Sequence, residues 1–154
     1  MKKPSSLKSL ENNENVAVYS FVPNDEKKKS DITFIQGDFF SIPNSPFADE
    51  DKFNFAFDRG SIVAIKPNLR EAYVKAMDHC LAPGARILFT GIEYDQSERP
   101  GPPHSISLDE LKSLYGSDYE YTLLEENHDS KFLKKYGGPL TKVTDLTVLI
   151  VKKA

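Results

Sequence analysis

The stretch FNFAFDRG at residues 53–60, together with the helix and strand that follow it, decides the fold of this chain. Its first five residues alternate phenylalanine with smaller side chains, which predicts a strand that ends at Asp58. Between residues 69 and 81, apolar side chains recur at spacings of three and four, and this predicts a helix with one apolar face. Residues 86–93, which contain the apolar run ILF, predict the next strand. A strand, a helix and a strand in succession predict a parallel pair with a right-handed crossover, and therefore the α/β class.

Both ends of this helix carry local signals. Asn68 followed by Glu71 has the spacing of a capping box, with Asn68 as the N-cap. The sequence APG at residues 82–84 predicts that the helix stops before it. Cys80 falls on the apolar face, so we interpret it as a small core residue and not as a nucleophile.

The chain after the second strand begins with a proline-rich loop at residues 95–105. This loop follows a strand and is expected to overhang the same sheet edge, as a lid or substrate wall or as a rigid surface excursion. Ser107 and Glu110 repeat the capping-box spacing and predict a short helix that ends at Gly116.

Four further segments predict strands. Residues 119–124 and 146–151 are expected to form an antiparallel pair at a sheet edge. Residues 16–21 are rich in β-forming side chains, and residues 32–35 are apolar on both alternating faces, as expected for a strand covered on two sides. We expect the 154 residues to form one domain, with residues 1–15 flexible.

Composition excludes several classes of function. The formal net charge is −3 and the isoelectric point is about 5.6, so binding to a nucleic-acid backbone has no electrostatic support. No apolar run approaches the roughly 20 residues of a membrane span, and the polar start does not have the apolar core of a signal peptide. A single cysteine and three scattered histidines give no metal-ligand spacing. We therefore predict an intracellular protein, without a metal, that binds a small molecule.

Two short runs follow predicted strands, where open α/β sheets bind their ligands. In the first run, Asp38 follows Gly37 and precedes Phe39. A carboxylate at this position can accept hydrogen bonds from an amine or a ribose hydroxyl, and a phenylalanine can pack on a purine. The alternative is that Gly37 and Asp38 form an ordinary turn and the aromatic rings belong to the core.

In the second run, Arg59 stands beside Gly60. A guanidinium at the carboxyl end of a strand is placed to bind a carboxylate or another anion, and a glycine lets backbone approach closely. The alternative is a local ion pair of Arg59 with Asp58 or with an acidic loop residue.

Four fragments in register resemble the thiopurine S-methyltransferase family, namely GDFF at 37–40, FDRGSIVAI at 57–65, EYDQ at 93–96 and GPP at 101–103. The similarity extends from Ile32 to Glu126. It implies a Rossmann-like methyltransferase fold, S-adenosyl-L-methionine as methyl donor, and a thiol or thiopurine acceptor, in a cytoplasmic monomer. The resemblance implies that Gly37, Asp38 and Phe39 bind the cofactor. It implies that Arg59 is the catalytic residue and contacts both cofactor and acceptor. It further implies that Tyr94 and Asp95 bind the acceptor.

The sequence also departs from the family pattern. The family's first strand with its glycine-containing turn, and the acidic residue after the second strand, have no counterpart here. We therefore expect a methyltransferase sheet truncated on its N-terminal side. Two hypotheses follow: an enzyme of the thiopurine S-methyltransferase type, or a catalytically inactive, methyltransferase-like module that acts by binding only. A nucleotide-binding domain of other chemistry is a third possibility.

Overall fold

The computed structural model describes residues 8–13, 16–21, 32–44, 52–128 and 140–154. The chain divides into two compact units, Met1–Phe47 and Ala48–Ala154, and each is described by itself. Residues 1–15 are predicted to be flexible. Residues 1–7 and 14–15 of this segment lie outside the described residues, and Lys8–Asn13 form a strand. Within the described part of the chain, no helix is long and apolar enough to cross a membrane.

The first unit contains a three-stranded antiparallel sheet in the order β1-β2-β3, formed by Lys8–Asn13, Val16–Phe21 and Ile32–Gly37. A 3-10 helix, Phe39–Asn44, follows β3. The two strands predicted here are confirmed, but the prediction that β3 is covered on both faces is wrong. Its Phe34 is 63% exposed, and its hydrogen-bonded neighbour is the antiparallel β2. Antiparallel sheets tolerate a solvated face, so an apolar strand does not by itself require two covers.

The second unit contains a four-stranded sheet in the order β4-β5-β7-β6. Its elements, in chain order, are β4 (Phe53–Arg59), α1 (Arg70–Cys80), β5 (Leu81–Glu93), α2 (Leu108–Tyr115), β6 (Tyr119–Asn127) and β7 (Thr144–Lys152). β4 and β5 are parallel, while β7 is antiparallel to both β5 and β6. The predicted strand-helix-strand unit and the antiparallel closing pair are therefore confirmed.

The core lies on one face of this four-stranded sheet. Alternate side chains of β5 and β7 are at most 1% exposed, as expected when only one face is covered: Ile87, Phe89, Val148 and Ile150. The helices contribute Tyr73, Val74, Ala76 and Cys80 from α1 and Leu111 and Tyr115 from α2. Cys80 is thus a core residue as predicted, and burial raises the pKa of its thiol.

The start of α1 differs from the prediction. Asn68 is not its cap, because a 3-10 turn, Pro67–Leu69, precedes the helix and no side chain caps it. The amide of Leu69 donates to the Lys66 carbonyl at 2.9 Å, and the Arg70 amide donates to the Pro67 carbonyl. These backbone bonds satisfy donors that a cap would otherwise serve, so Asn68 is not needed there. The helix ends at Cys80 as expected, although β5 already begins at Leu81 and includes the APG segment.

The cap of α2 agrees with the prediction. The Ser107 hydroxyl accepts a hydrogen bond from the Glu110 amide at 3.1 Å, and the helix ends at Gly116, whose φ is +73°. We expect Ser107→Ala to lower the free energy of unfolding by about 1 kcal/mol, because it leaves a helix N–H without this acceptor. Urea unfolding of both proteins measures the difference. Ser107→Asp retains a capping oxygen, so its free energy of unfolding should fall only slightly. An equal loss of stability in both variants would contradict the capping role.

A lysine from β7 ties the end of α1 to the sheet. Lys152 Nζ lies 2.7 Å from Asp78 Oδ1 and donates to the backbone carbonyls of Asp78 and Leu81 at 3.1 and 3.2 Å. Tyr119 also donates to Asp78 Oδ1, at 2.6 Å. Burial alone would raise the pKa of Asp78, but the hydrogen bonds from Lys152 and Tyr119 outweigh it, so the pKa lies below its ordinary value.

This arrangement predicts an acid-dependent contribution to stability. The folded pKa of Asp78 is lowered, so its stabilising effect is present above the unfolded pKa of about 3.9 and is lost as pH falls through the folded pKa. We expect Lys152→Met to destabilise the protein more at pH 7 than at pH 3, measured by urea unfolding at both values. Lys153→Met, at an exposed neighbouring lysine, is the control. A Lys152 effect that does not change with pH would contradict the charge interaction.

Candidate functional site

The carboxyl ends of β4 and β5 lie side by side, because Arg59 is in register with Thr90 of the parallel neighbour. The segment after β4 and the loop after β5 both leave from this edge. They meet where the His104 amide donates to the Val63 carbonyl at 2.6 Å. The structure therefore brings the segment that follows the DRG run into contact with the proline-rich loop, and both leave from the sheet edge predicted for that loop.

Arg59 is exposed at the end of β4, and its guanidinium makes no ion pair with any of the described residues. Gly60, which follows it, has a φ of +82°, a conformation that favours glycine. The alternative of an ion pair with Asp58 is wrong, because successive residues of a strand point to opposite faces. Asp58 is 1% exposed and accepts a hydrogen bond from the Tyr73 hydroxyl at 3.0 Å.

Asp58 anchors the turn that follows Arg59. Burial raises the pKa of this carboxyl group, while hydrogen bonds from Tyr73 and from the amides of Ile62 and Ser61 partly offset the increase. The buried carboxylate also raises the pKa of Tyr73, in addition to the effect of burial. The hydrogen bond between Asp58 and Tyr73 therefore attaches the turn that carries Arg59 and Gly60 to α1. The Arg59 side chain extends from this ordered backbone.

The loop at residues 94–106 has its own hydrogen-bond network. The Tyr94 hydroxyl donates to the Pro103 carbonyl at 2.7 Å, and its amide donates to the Ser105 hydroxyl at 2.9 Å. Gln96 accepts from the Ser105 amide at 2.9 Å and donates to the Tyr94 hydroxyl oxygen at 3.1 Å. These hydrogen bonds hold the loop in one conformation beside the sheet edge.

The two loop residues predicted to contact an acceptor lie in different environments. Tyr94 is 7% exposed and packs with Leu140 and Val143, so its ring supports the loop from within. Asp95 is exposed, and it accepts a hydrogen bond from the Ser97 amide at 2.9 Å. Hydrogen bonds from Ser97 lower the pKa of Asp95 below its ordinary value, so it is an anion at neutral pH. Their contact with an acceptor stays a prediction.

Sequence analysis missed a buried arginine behind the loop. Arg70 is 1% exposed, forms an ion pair with Glu110 Oε1 at 2.5 Å, and donates to the Ser105 carbonyl at 2.9 Å. It connects the start of α1 to the end of the loop and the first turn of α2. The available signal was its position three residues before Tyr73 and four before Val74, which places it on their helix face.

A second connection holds the other side of the loop. The carboxylate of Glu98 accepts hydrogen bonds from the amide and the hydroxyl of Thr141, at 2.9 and 2.6 Å. Glu98 and Thr141 are 43 positions apart, and neither carried a sequence signal. The loop is thus attached both to α2 and to the segment that leads into β7.

The run at residues 37–40 belongs to the other unit. Asp38 is exposed, and its Oδ1 accepts from the Phe40 amide at 3.0 Å while Oδ2 lies 3.5 Å from the Ser41 hydroxyl. Phe39 and Phe40 are half-buried and make an edge-to-face contact with ring centroids 6.4 Å apart. The structure shows a turn that begins a 3-10 helix, as in the simpler interpretation, and the roles of Gly37, Asp38 and Phe39 at a cofactor stay predictions. Across the described residues, no group of three His, Cys, Asp or Glu side chains could hold a metal ion.

Similar solved structures support the fold. CrArsM, an arsenic(III) S-adenosylmethionine methyltransferase from Chlamydomonas reinhardtii, matches with a TM-score of 0.55 and 18% identity, over 77% of this chain and 43% of that one. The YcgJ protein from Bacillus subtilis matches with a TM-score of 0.52 and 12% identity, over 73% of this chain and 69% of that one. The predicted α/β, Rossmann-like methyltransferase fold is confirmed.

Sequence comparisons agree with the resemblance. The thiopurine S-methyltransferase of Marinobacter nauticus is 29% identical over 91% of this chain and 64% of its own length. The probable thiopurine S-methyltransferase of Yarrowia lipolytica is 36% identical over 71% and 50%, and the Vibrio parahaemolyticus enzyme is 34% identical over 68% and 47%. The chain spans about half the length of several curated relatives that it matches.

A family model matches most of the chain. The model described as thiopurine S-methyltransferase matches residues 4–150, nearly the whole chain. Members of this family use S-adenosyl-L-methionine as cofactor, which confirms the cofactor predicted for the family. The chain therefore belongs to the thiopurine S-methyltransferase family.

Proposed function

We propose that this chain acts in S-adenosyl-L-methionine-dependent methyl transfer to the sulfur of a thiol or thiopurine. The observation that carries the proposal is the exposed Arg59 guanidinium at the end of β4, within a matched family stretch and beside an ordered loop. A sulfur nucleophile is more reactive as the thiolate, and a nearby guanidinium lowers the pKa of a thiol. Arg59 thereby favours the reactive form of the acceptor.

The donor side fits the group that the family implies. S-adenosyl-L-methionine, when bound, supplies a methyl group on a positively charged sulfur. Asp38 holds one amide at 3.0 Å and a hydroxyl only loosely at 3.5 Å. A carboxylate has about four acceptor positions, so Asp38 can accept further hydrogen bonds from an adenosine amine or hydroxyl. Gly37 and Phe39 would complete this contact.

The chain's own residues contribute alignment and charge to the transfer. The acceptor sulfur forms a bond to the methyl carbon while the bond from that carbon to the sulfonium sulfur breaks, and the thiol proton leaves to solvent. Arg59 orients the sulfur and stabilises its negative charge. The exposed Asp95 lies beside the acceptor on the loop side, and the buried Tyr94 supports the loop from within. Holding the reactants in line accounts for much of the acceleration in such a reaction. We also propose that the chain works as a cytoplasmic monomer on a small molecule and without nucleic acid.

A second candidate function has its own observation. The chain spans about half the length of several relatives. As the alternative we propose a catalytically inactive module that acts by binding only. Calorimetry with S-adenosyl-L-methionine separates the two functions. The enzyme hypothesis predicts a binding heat that saturates, with a Kd for S-adenosyl-L-methionine below about 1 mM. This Kd corresponds to a binding free energy of about −4 kcal/mol.

Two variants make this measurement specific. Asp38→Ala should weaken binding at least tenfold, while Asp109→Ala, at an exposed acid of α2, should not change it. No heat at millimolar S-adenosyl-L-methionine would refute catalysis by this chain and leave the binding module. Binding of ATP without binding of S-adenosyl-L-methionine would point instead to a nucleotide-binding domain of other chemistry.

A further inference from the structure

The turn that carries Arg59 is folded around a buried carboxylate. Asp58 is 1% exposed, and its Oδ2 accepts a hydrogen bond from the Tyr73 hydroxyl at 3.0 Å. The amides of Ser61 and Ile62, three and four positions further along the chain, also donate to this carboxylate. An aspartate that accepts from amides shortly after it closes a local turn. Arg59 lies inside this turn, so the Asp58 carboxylate constrains the backbone from which the guanidinium extends.

The same turn connects α1 with the proline-rich loop. Tyr73 lies near the start of α1 and reaches the turn through Asp58. On the far side of the turn, the Val63 carbonyl accepts from the His104 amide of the loop at 2.6 Å. The Asp58 carboxylate is therefore the side chain through which α1 fixes the position of Arg59 relative to the loop.

Stability alone does not explain a carboxylate at this position. Burying a charge is costly, and burial raises the pKa of Asp58. Its second oxygen, Oδ1, is also buried and has no well-aligned donor among the described residues. A buried polar group that is only partly paired requires an explanation, and an asparagine would fill the same space without the charge. The charge is explained if an ionised carboxylate is needed to hold the turn beside it.

The groups that face Asp58 are neutral at physiological pH. Tyr73 faces it from α1. From α2 comes Tyr115, whose pKa is raised first by burial and next by the charge of Asp58. The register neighbour on β5 is Phe89. No lysine, arginine or histidine forms an ion pair with Asp58 in the part of the chain that the structure describes. The hydrogen bond from Tyr73 is therefore the strongest influence that keeps the carboxyl group ionised.

We propose that Asp58 and Tyr73 are positioning residues for Arg59: the Tyr73 hydroxyl orients the Asp58 carboxylate, and the carboxylate holds the turn from which the guanidinium reaches the acceptor. Both side chains are buried, at 1% and 6% exposure, so they act through Arg59 and not on the acceptor itself. This inference rests on the proposed function of Arg59 in methyl transfer. It extends that function by making turnover depend on two residues of the core.

The proposal predicts a specific pH dependence. The ionised form of Asp58 holds the turn, so turnover is lost as pH falls through the folded pKa of this carboxyl group. Burial places that pKa above its ordinary value, and the hydrogen bond from Tyr73 opposes the increase. Tyr73→Phe removes this hydrogen bond and raises the pKa of Asp58 further, so the loss of turnover should begin at higher pH. A purely structural role would lower stability without moving this pH dependence.

The chain offers a matched control for Tyr73→Phe. Tyr119 is also 6% exposed, and its hydroxyl donates at 2.6 Å to the carboxylate of Asp78, in the last turn of α1. Tyr119→Phe therefore removes the same kind of hydrogen bond from the same helix, away from Arg59.

The first measurement is kcat/KM for a thiopurine at pH 8 and at pH 5. Ionisation of the acceptor thiol affects the parent and all variants equally, so it cancels when the ratio of the two values is compared with that of the parent. We expect this ratio to increase by about threefold or more in Tyr73→Phe and to change by less than about twofold in Tyr119→Phe. Urea unfolding of each variant confirms that it is folded at both pH values.

The second measurement needs no turnover. Hydrogen exchange at the Ser61 and Ile62 amides, followed by NMR, should be faster by about tenfold or more in Tyr73→Phe and unchanged in Tyr119→Phe. Asp58→Asn retains the size of the side chain but cannot ionise. It should show the same faster exchange, and its kcat/KM at pH 8 should be lower by about tenfold or more.

Two results would overturn the proposal. One is an equal change of the pH ratio in Tyr73→Phe and Tyr119→Phe. The other is exchange at the Ser61 and Ile62 amides that neither Tyr73→Phe nor Asp58→Asn alters. Absence of turnover in the parent would instead refute the proposed function, and the exchange measurement would then decide by itself whether Asp58 holds the turn.

Discussion

Arg59→Ala is expected to lower kcat/KM for a thiopurine by about 100-fold, while the free energy of unfolding stays within about 0.5 kcal/mol of the parent. The guanidinium is exposed and makes no ion pair with the described residues, so its removal breaks no contact that holds the fold. In the proposed mechanism, its contribution to turnover is to stabilise the negative charge on the acceptor sulfur. Methyl transfer assayed with saturating S-adenosyl-L-methionine, together with urea unfolding, gives both numbers.

Two controls sharpen this result. Arg59→Lys retains the charge without the planar fork of donors, so it should recover part of the activity. Arg86→Ala removes an exposed arginine on the same face of the sheet, in register with Phe55, and should leave turnover unchanged. Equal losses of turnover in Arg59→Ala and Arg86→Ala would show that the effect comes from the loss of any positive charge on this face, and not from a specific role of Arg59. Loss of stability in proportion to turnover would make Arg59 a structural residue.

Glu110→Ala is expected to lower the free energy of unfolding by about 3 kcal/mol, at the lower end of the range for breaking a buried ion pair. Arg70 is 1% exposed, and the variant leaves its charge buried without the carboxylate that pairs with it at 2.5 Å. The remaining hydrogen bond to the Ser105 carbonyl does not neutralise that charge. Glu110 itself is 38% exposed, so water can reach part of the site and moderate the loss.

Matched variants separate charge from shape at this position. Glu110→Gln retains an acceptor for Arg70 and should lose less than Glu110→Ala. Asp109→Ala, at the adjacent acid with a side chain 94% exposed, should change stability by less than about 0.5 kcal/mol. Hydrogen exchange of the loop at residues 94–106 should increase in Glu110→Ala, because Arg70 also holds Ser105. Unchanged stability in Glu110→Ala would show that Arg70 needs no partner there.

Features that depend on near neighbours were predictable from the sequence. The helix between the two parallel strands follows from apolar side chains at spacings of three and four. Ser107 acts as the predicted cap because the Glu110 amide, which donates to its hydroxyl, lies three residues away. Asn68 has the same pattern and does not cap, since the 3-10 turn at Pro67 satisfies those donors first. The helix face also differs from the predicted one: Leu69 is 41% exposed, whereas Arg70 is buried.

The sequence predicted which sheet edge carries the candidate site, but only some of the side-chain positions there. The order of the motifs placed Arg59 and the proline-rich loop at one sheet edge, and the His104 to Val63 hydrogen bond joins the two segments. The sequence could not indicate that Asp58 points inward to Tyr73 while Arg59 stays exposed, because alternation leaves open which face is covered. How Asp38 acts at the cofactor stays a prediction.

By itself the sequence determined the order of the elements, the parallel crossover unit, the α2 cap and the family, because each depends on spacing within a few residues or on motifs in register. Tertiary structure alone decided that β7 lies between β5 and β6, that Arg70 is buried against Glu110, and that Glu98 binds Thr141. The two side-chain pairings join residues 40 and 43 positions apart, so their energy exists only once the chain has folded.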